Sequence, residues 1–509
     1  MNRGQASYGV VAFTAAVSLG LAGCSGSSSS GDAPTSVPAS VTAAPSPGLA
    51  KFYRQTLAWK KCGDVRCATL SVPLDYAKPD GVTVKLAVDK VPATGKRRGS
   101  LVVNPGGPGG SGYDYAAAAN QIVTGAIRKS YDVVGFDPRG VQRSEPITCV
   151  GDGQLDKILG ADPTPDDPAE ERSAAATAKA FGAACVAHAG PLLGHVSTVE
   201  VAKDVDILRA ALGSAKLDYL GKSYGTLIGS TYAGLFPAKV GRMVLDGVVP
   251  PDLTSEQVAQ GQAKGFETAT RAYVANCVSS GSCLLGGSVD AGMARIRAFL
   301  KQVDGTPLPV KGEGDVRALT EGWASIGVAE AMYDKGSWPV LTAAFKAAFA
   351  GDGTPMMGLA DQYADRNSDG SYAGNIMQAG SAVNCLDQPS NPSLSSYAQD
   401  AKSFATFAPT WGAYLGWSGL TCGEWPVKAT GTAHRITAAG SGPILVLGTT
   451  RDPATPFEWS QRLATELSNG HLLTYNGDGH TAYGRSACVN NTVDAYLLRG
   501  AVPPGGARC

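Results

Sequence analysis

Apolar residues recur along the chain in short runs that are typical of buried strands. The later runs are separated by segments whose apolar residues lie three and four positions apart, which predicts helices at 201–212 and 226–236. Strands that alternate with helices indicate a mostly parallel sheet covered by helices. The predicted fold class is therefore α/β, with strands at 68–73, 83–92, 100–104, 131–136, 216–220, 241–249, 443–448 and 471–476.

Between residues 250 and 439 the pattern changes to helical periodicity without clear strands, with helices predicted at 257–278, 289–303 and 341–349. An insert of this length between two sheet strands predicts a helical cap over an active site. The chain of 509 residues also exceeds the ~300 residues at which a single core stops growing. We therefore predict a sheet domain in two parts and an inserted cap, with bounds 51–250, 251–439 and 440–509.

A candidate nucleophile follows the predicted strand at 216–220, inside the segment Gly221-Lys222-Ser223-Tyr224-Gly225. A strand that turns sharply into a helix presents such a serine at the tip of the turn, within reach of a base. The flanking glycines allow that turn without a side-chain clash. We predict Ser223 as the nucleophile; the alternative is a glycine-rich turn with an idle serine.

The base that activates such a serine is a histidine that follows both the serine and an acidic residue in the chain. His480 lies in a loop after the last predicted strand, where it reaches the same sheet edge as Ser223. We predict His480 as the base. The other four histidines fit less well, since two precede the serine, one lies in a polar glycine-flanked segment and one begins a strand: His188, His195, His434 and His471.

The predicted acid is Asp452, which lies just after the strand at 443–448 and one strand ahead of His480. A carboxylate there holds the imidazole in the required tautomer and stabilises the imidazolium. The alternative is an aspartate that only caps the helix starting near Phe457. Asp246, at the end of the preceding strand, is the second candidate, and Asp478 is too close in sequence to His480.

A glycine-rich loop follows the strand at 100–104 and covers residues 104–112. Glycine lets backbone N–H groups approach a ligand oxygen closely. We predict an oxyanion hole formed by the N–H groups of Gly107 and of Tyr224, the residue after the nucleophile. A phosphate-binding loop is disfavoured, because the G-x-x-x-x-G-K-[ST] pattern is missing and the prolines remove donors.

The chain resembles the secreted tripeptidyl aminopeptidases of actinobacteria, a group of prolyl-iminopeptidase-like α/β-hydrolases that includes mycobacterial envelope serine hydrolases. The likeness runs in order from about residue 59 to residue 509. It is carried by 104–112, Val134-Gly135-Phe136-Asp137-Pro138-Arg139-Gly140, Ser223-Tyr224-Gly225-Thr226 and Asp452-Pro453-Ala454-Thr455-Pro456.

The resemblance implies an α/β-hydrolase fold with a cap, and Ser223, Asp452 and His480 as a catalytic triad. One difference is Lys222, where many relatives carry an uncharged residue. The resemblance also implies peptide substrates that are trimmed from a free N-terminus by way of an acyl-enzyme. This predicted chemistry uses neither a metal nor another cofactor.

Trimming from a free N-terminus requires an anion that binds the α-ammonium group of the substrate. Asp387 is the first candidate in the predicted cap, beside a cysteine, and Glu424 and Glu330 are the others. Three cap tryptophans are candidates for a pocket wall, although core packing is the commoner use of tryptophan: Trp411, Trp417 and Trp425.

Two other functions remain open from the sequence. A carboxylesterase has the same triad and pocket without the anion and takes a small ester, and a non-catalytic binding lipoprotein keeps only the export features. The 43 basic and 43 acidic residues give a net charge of zero, which argues against nucleic acid as a partner. The oligomeric state is not predicted.

Eleven cysteines indicate an oxidising compartment, and setting Cys24 aside leaves an even number. Two pairs are close in sequence, Cys62 with Cys67 and Cys277 with Cys283. A metal site is disfavoured because no Cys-x-x-Cys motif is present. The resemblance implies three further disulfides, Cys149–Cys185, Cys385–Cys422 and Cys488–Cys509.

The N-terminal segment predicts export to the cell envelope. One arginine precedes an apolar stretch that is too short to span a bilayer, which fits a secretory signal at 1–24. Leu21-Ala22-Gly23-Cys24 resembles a bacterial lipobox, in which Cys24 is lipidated and anchors the protein extracytoplasmically to the membrane; the alternative is plain secretion after cleavage elsewhere. Residues 25–50 are rich in Ser, Pro and Gly and are predicted to form a tether.

We expect the mature protein to begin at a lipidated Cys24 and to partition into detergent. In Cys24→Ala the acceptor thiol is missing, so the protein should be released from membranes or stay unprocessed. Detergent partitioning and intact mass of both proteins check this. An unmodified N-terminus elsewhere in the wild-type chain would contradict it.

Overall fold

The computed structural model describes residues 38–312 and 317–509. The predicted signal at 1–24 and residues 25–37 of the predicted tether lie outside the described residues. The strands are β1 (Lys60–Cys62), β2 (Val65–Pro73), β3 (Thr83–Val91), β4 (Gly99–Asn104), β5 (Tyr131–Phe136), β6 (Leu217–Lys222), β7 (Val240–Asp246), β8 (Leu308–Pro309), β9 (Ala318–Leu319), β10 (Ile444–Arg451) and β11 (Gly470–Asp478).

The main sheet has the strand order β1-β2-β3-β5-β4-β6-β7-β10-β11. The pairs β1/β2, β2/β3 and β3/β5 are antiparallel, and every pair from β5 to β11 is parallel. Residues 444–448 of β10 are buried because helices cover both faces of the parallel part. The predicted α/β fold with a mostly parallel sheet is confirmed.

Helices connect the sheet strands before β7 and after β10. The first eight are α1 (Ala50–Tyr53), α2 (Gly112–Ala117), α3 (Ala119–Ile122), α4 (Gly125–Ser130), α5 (Asp152–Leu159), α6 (Pro168–Ala189), α7 (Thr198–Ala211) and α8 (Tyr224–Leu235). After β10 follow α18 (Phe457–Glu466) and α19 (Ala487–Arg499).

The region between β7 and β10 is mainly helical, and we call it the cap. Its helices are α9 (Ser255–Ser279), α10 (Val289–Gly305), α11 (Glu321–Met332), α12 (Trp338–Phe349), α13 (Thr354–Ala364), α14 (Ile376–Asp387), α15 (Leu394–Ala405), α16 (Gly412–Trp417) and α17 (Leu420–Gly423). The expectation of no strands here is wrong, because β8 and β9 pair as a short antiparallel hairpin. Strands of two residues are too short to leave a periodic signal.

The apolar core is divided between the sheet and the cap. Two clusters cover the two faces of the sheet. A third lies within the cap and contains the buried aromatic residues Phe266, Tyr273, Phe299, Trp323 and Phe345. The cap therefore buries its own apolar surface.

Arg139 is fully buried and joins several segments of the sheet domain. Its Nε and Nη2 donate to the two oxygens of Asp204 at 2.7 Å, and its remaining N–H groups reach the carbonyl oxygens of Pro73, Leu74 and His195 at 2.9 Å. All five guanidinium donors are thus satisfied, as a buried cation requires. This explains the arginine of the segment 134–140 structurally.

The described part of the chain contains five disulfides: Cys62–Cys67, Cys149–Cys185, Cys277–Cys283, Cys385–Cys422 and Cys488–Cys509. They coincide with the short-range pairs and with those implied by the resemblance. No helix within residues 38–312 and 317–509 is long and apolar enough to cross a membrane.

We expect the disulfide between Cys149 and Cys185, 36 residues apart, to stabilise the fold by about 4 kcal/mol through the loop that it closes. The double substitution Cys149→Ala/Cys185→Ala should lower the free energy of unfolding by at least that much, since both sulfurs are also buried. The matched control is Cys62→Ser/Cys67→Ser, whose loop of 5 residues predicts about 2 kcal/mol. Urea unfolding measures both, and equal losses would contradict the entropic account.

Candidate active site

Ser223 lies in the turn between β6 and α8 with φ 55° and ψ −128°, a left-handed conformation that is strained for serine. Glycine makes the turn possible, because a Cβ on Gly221 would lie 2.4 Å from the carbonyl oxygen of Gly225. The Ser223 N–H donates to the Asp246 carbonyl oxygen at 3.0 Å. The strand-to-helix turn expected from the sequence is therefore present.

His480 and Asp452 form a hydrogen-bonded pair. The Nδ1 atom of His480 lies 2.9 and 3.0 Å from the two oxygens of Asp452. Asp452 is 2% exposed, and it also accepts the N–H groups of Ala454, Thr455 and Thr481 at 2.9–3.1 Å. These donors hold the carboxylate in place beside the imidazole ring. Asp452 does not act as the side-chain cap of α18.

The other ring nitrogen of His480 is free to act on a substrate. Nε2 is buried, and it has no hydrogen-bond partner among the residues that the structure describes. Ser223 and His480 line the same cavity. No hydrogen bond joins them within the described chain, and such contacts are often long until a substrate is bound.

Asp246, the second candidate acid, binds backbone rather than the histidine ring. Its two oxygens accept the N–H groups of Ala482 and Tyr483 at 2.8 and 2.9 Å, and burial raises its pKa. Nζ of Lys222 donates to the Tyr483 carbonyl oxygen at 2.9 Å, and burial lowers the pKa of this lysine. Both side chains therefore brace the segment that follows His480.

The glycine-rich loop packs directly against the turn at Ser223. A Cβ on Gly106 would lie 2.6 Å from the Lys222 carbonyl oxygen and 2.9 Å from the Ser223 Cβ, so only glycine fits. The N–H groups of Gly107 and Tyr224 donate to no group in the described ranges, and both residues line a cavity together with Ser223. Two free donors beside a nucleophile can bind an oxyanion.

Asp137 fixes the far end of that loop. It accepts the Ser111 hydroxyl at 2.5 Å and the Tyr113 N–H at 3.3 Å, and it pairs with Arg143 at 3.2 Å. The segment 134–140 thus supports the loop through Asp137 and the sheet domain through Arg139.

Two cavities meet at Ser223. The Asp387 cavity has a volume of about 280 Å³ and is lined by residues that include Tyr224, Leu227 and Asp387. The His480 cavity has a volume of about 430 Å³ and is lined by residues that include His480, Tyr333, Tyr363 and Met377. Gly107, Pro108 and Asn384 line both.

Asp387 ends α14 and is half-buried at the wall of its cavity. Its oxygens accept the N–H and the hydroxyl of Thr198 at 2.7 and 2.5 Å, and burial raises its pKa to about 7. The Thr198 hydroxyl also contacts the Tyr224 hydroxyl at 2.7 Å. The competing carboxylates Glu424 and Glu330 line neither of the two cavities.

The remaining candidates lie elsewhere. The three cap tryptophans Trp411, Trp417 and Trp425 are 3–8% exposed and belong to the core, as their commoner use suggests. His188 and His195 bind the Cys149 carbonyl oxygen and Glu200. Among the described residues, the carboxylates of Asp162, Asp304 and Glu321 lie close enough for a metal, but Glu321 already accepts the hydroxyls of Tyr414 and Thr164 at 2.6 and 2.7 Å.

Sequence reasoning missed three residues that contact the site. Oγ1 of Thr455 lies 3.3 Å from His480 Nδ1. The position of Thr455 in the segment 452–456, which also contains Asp452, could have indicated this contact. Thr198 binds Asp387 from 189 residues away. The Tyr333 carbonyl oxygen accepts the backbone N–H of His480 at 2.8 Å, and the Tyr333 ring lies edge-on to the imidazole ring. Neither of these two has a sequence signal, because both contacts arise from the tertiary fold.

Comparison with known proteins identifies the family. The family described as TAP-like protein matches residues 408–509. The chain is 39% identical over 482 residues to serine protease Hip1 of Mycobacterium tuberculosis, which covers 89% of this chain and 91% of the relative. It is 32% identical over 484 residues to tripeptidyl aminopeptidase of Streptomyces coelicolor, covering 90% and 87%.

The chain belongs to this actinobacterial family of α/β-hydrolases. Another relative, carboxylesterase B of Mycobacterium tuberculosis, is 36% identical over 453 residues and covers 87% of this chain and 86% of its own. The resemblance drawn from the sequence is thereby confirmed, and so is the assignment to the serine hydrolases. The relatives carry both peptidase and esterase names.

We expect Asp452→Asn to lower kcat by about 10⁴-fold, because an amide cannot hold His480 in the accepting tautomer. Ser223→Ala should lower kcat by about 10⁴- to 10⁶-fold, and its residual turnover is the baseline for the other variants. Asp246→Asn is the control, since it leaves the histidine ring untouched and should cost far less. Turnover of p-nitrophenyl acetate by folded variants measures all three. An inactive Asp246→Asn variant beside an active Asp452→Asn variant would contradict Asp452 as the acid of the triad.

Proposed function

We propose that the protein is a serine peptidase that removes short peptides from a free N-terminus through an acyl-enzyme. The observation that carries this proposal is that Asp387 and Ser223 line one cavity. Among the residues that the structure describes, Asp387 is the only acidic or basic one that lines it. A single anion beside a nucleophile selects a substrate that carries one positive charge.

The proposed mechanism starts when Ser223 Oγ attacks the scissile carbonyl carbon and Nε2 of His480 takes its proton. Asp452 stabilises the resulting imidazolium. The N–H groups of Gly107 and Tyr224 bind the developing oxyanion. Removing one donor of an oxyanion hole typically lowers kcat by about 10²- to 10³-fold. Nε2 then gives the serine proton to the departing nitrogen as the carbon–nitrogen bond breaks. A water molecule that loses a proton to Nε2 next attacks the acyl carbon and displaces Ser223 Oγ, which takes the proton back from Nε2.

The charges around Asp387 support a role in binding the substrate α-ammonium. The negative end of the α14 dipole lies at the same place, since Asp387 is the last residue of that helix. Burial raises the pKa of the carboxyl group because the charged form is poorly solvated. A bound ammonium group supplies the missing counter-charge.

The relatives support peptides as the substrate class. One relative is named tripeptidyl aminopeptidase and another serine protease Hip1. The name carboxylesterase B favours a second candidate function, ester hydrolysis by the same triad. The two functions differ in whether a free α-ammonium raises the rate.

We also propose that the enzyme acts outside the cytoplasm, anchored to the cell membrane through a lipid on Cys24. The lipobox-like segment that ends at Cys24 supports the anchor. The five disulfides support an oxidising compartment, since they are rare in the cytosol.

We expect free tripeptide anilides to be cleaved about 10- to 100-fold faster, in kcat/KM, than their N-acetylated forms. This ratio of kcat/KM values is low for a buried charge pair because Asp387 is only half-buried. The preference should rise with pH through about 7, as Asp387 ionises, and fall above about 8, as the substrate α-amino group loses its proton.

In Asp387→Asn the preference and its rise through neutral pH should both disappear, while p-nitrophenyl acetate turnover changes little. Glu330→Gln and Glu424→Gln are matched controls, since neither glutamate lines the cavities. Equal rates on free and acetylated peptides in the wild-type enzyme would leave an esterase or an endopeptidase. A strong preference that Asp387→Asn does not alter would reject Asp387 alone.

A further inference from the structure

The His480 cavity differs in character from the Asp387 cavity. Its walls include Tyr333, Tyr363, Ile376 and Met377, and no Asp, Glu, Lys or Arg of the described chain lines it. The Asp387 cavity includes Tyr224, one of the two oxyanion donors, and does not include His480. Ser223 therefore separates a carboxylate-bearing space from an apolar, aromatic one.

The chemistry of acyl transfer assigns the two spaces to the two halves of a substrate. As the Ser223 Oγ–carbon bond forms, the serine proton moves to Nε2 of His480. When the carbon–nitrogen bond breaks, the same proton moves from Nε2 to the departing nitrogen. The leaving amine must therefore lie beside His480, and the acyl portion beside Tyr224 and Asp387.

We propose that the His480 cavity is the leaving-group site and that it selects an apolar or aromatic residue immediately after the scissile bond. This rests on the proposed acyl-enzyme function of Ser223 and His480. Burial in the cavity removes an apolar side chain from water, which favours its binding, whereas an ionised side chain meets no Asp, Glu, Lys or Arg on the described lining.

The walls of the site are fixed to the catalytic base. The Tyr333 ring lies edge-on to the rings of His480 and Tyr363, with centroids 5.2 and 5.9 Å apart. The Tyr333 carbonyl oxygen accepts the backbone N–H of His480 at 2.8 Å. Behind it the Phe266 ring lies 6.0 Å away. A leaving group that packs on Tyr333 is therefore held at a fixed position relative to His480, which donates the proton.

Helix α14 links the two sites along one face. Ile376, Met377, Gly380 and Ser381 line the His480 cavity, Asn384 lines both cavities, and Asp387 lines the other. These positions are three and four residues apart and share a helix face. From Met377 to Asp387 the helix rises about 15 Å, so one element sets the selectivity on both sides of the nucleophile.

The test intercepts the acyl-enzyme with amines, because an attacking amine occupies the leaving-group site in reverse. The acetyl-enzyme is formed from p-nitrophenyl acetate, which requires no free N-terminus in the substrate. Glycine, leucine, phenylalanine and aspartate amides then compete with water at equal concentration. The ratio of aminolysis to hydrolysis should be about tenfold higher for leucine and phenylalanine amides than for the other two.

Met377→Glu should lower the ratio for phenylalanine amide and raise it for lysine amide, each by about tenfold, because it places an anion in the site. Met377→Ala serves as the second variant if that chain does not fold, and it should lower the leucine and phenylalanine ratios. Leu227→Ala, in the Asp387 cavity, is the matched control and should leave the order of amides unchanged.

Equal capture of all amides, or capture of none, would overturn the proposal. So would an order of amides that Leu227→Ala changes and the Met377 variants do not. The preference for free over acetylated peptides is measured separately, so its failure removes the aminopeptidase proposal without affecting the order of amides.

Discussion

The site depends on the close contact of the glycine loop with the turn at Ser223. Ser223 holds φ 55°, a conformation that costs about 1–3 kcal/mol for a residue with a side chain. Gly106 and Gly221 let neighbouring backbone approach to distances that a Cβ would block. The same contact sets the positions of the Ser223 side chain and of the Gly107 and Tyr224 N–H groups. Nucleophile and oxyanion donors therefore form one rigid unit.

The cap is joined to that unit through α14. A Cβ on Gly109 would lie 2.8 Å from the Ile376 carbonyl oxygen, and one on Gly380 would lie 2.8 Å from the Pro108 carbonyl oxygen. The glycine loop and the helix thus meet backbone to backbone, which leaves no room for side chains between them. Because α14 carries Met377 at one end and Asp387 at the other, this contact sets how both proposed subsites lie relative to Ser223.

Much of the sheet domain follows from sequence pattern. So do three cap helices, since the predicted helices at 257–278, 289–303 and 341–349 coincide with α9, α10 and α12. The strand at 131–136 matches β5, because its six residues are all buried and, apart from Asp132, none of them carries a charge. The order of Ser223, Asp452 and His480 follows from the strands that precede them. The Thr198–Asp387 contact spans 189 residues and leaves no periodic signal. The roles of Asp246 and Lys222 as braces for residues 482 and 483 also required the folded chain.

The most direct measurement of the central claim is where a fluorophosphonate attaches to the native protein. Such a probe phosphonylates a serine only where a base activates it and oxyanion donors bind the new phosphoryl oxygen. We expect one adduct per chain, located by peptide mass spectrometry at Ser223, and none in folded Ser223→Ala. An unlabelled wild-type protein, or an adduct on another serine, would contradict it.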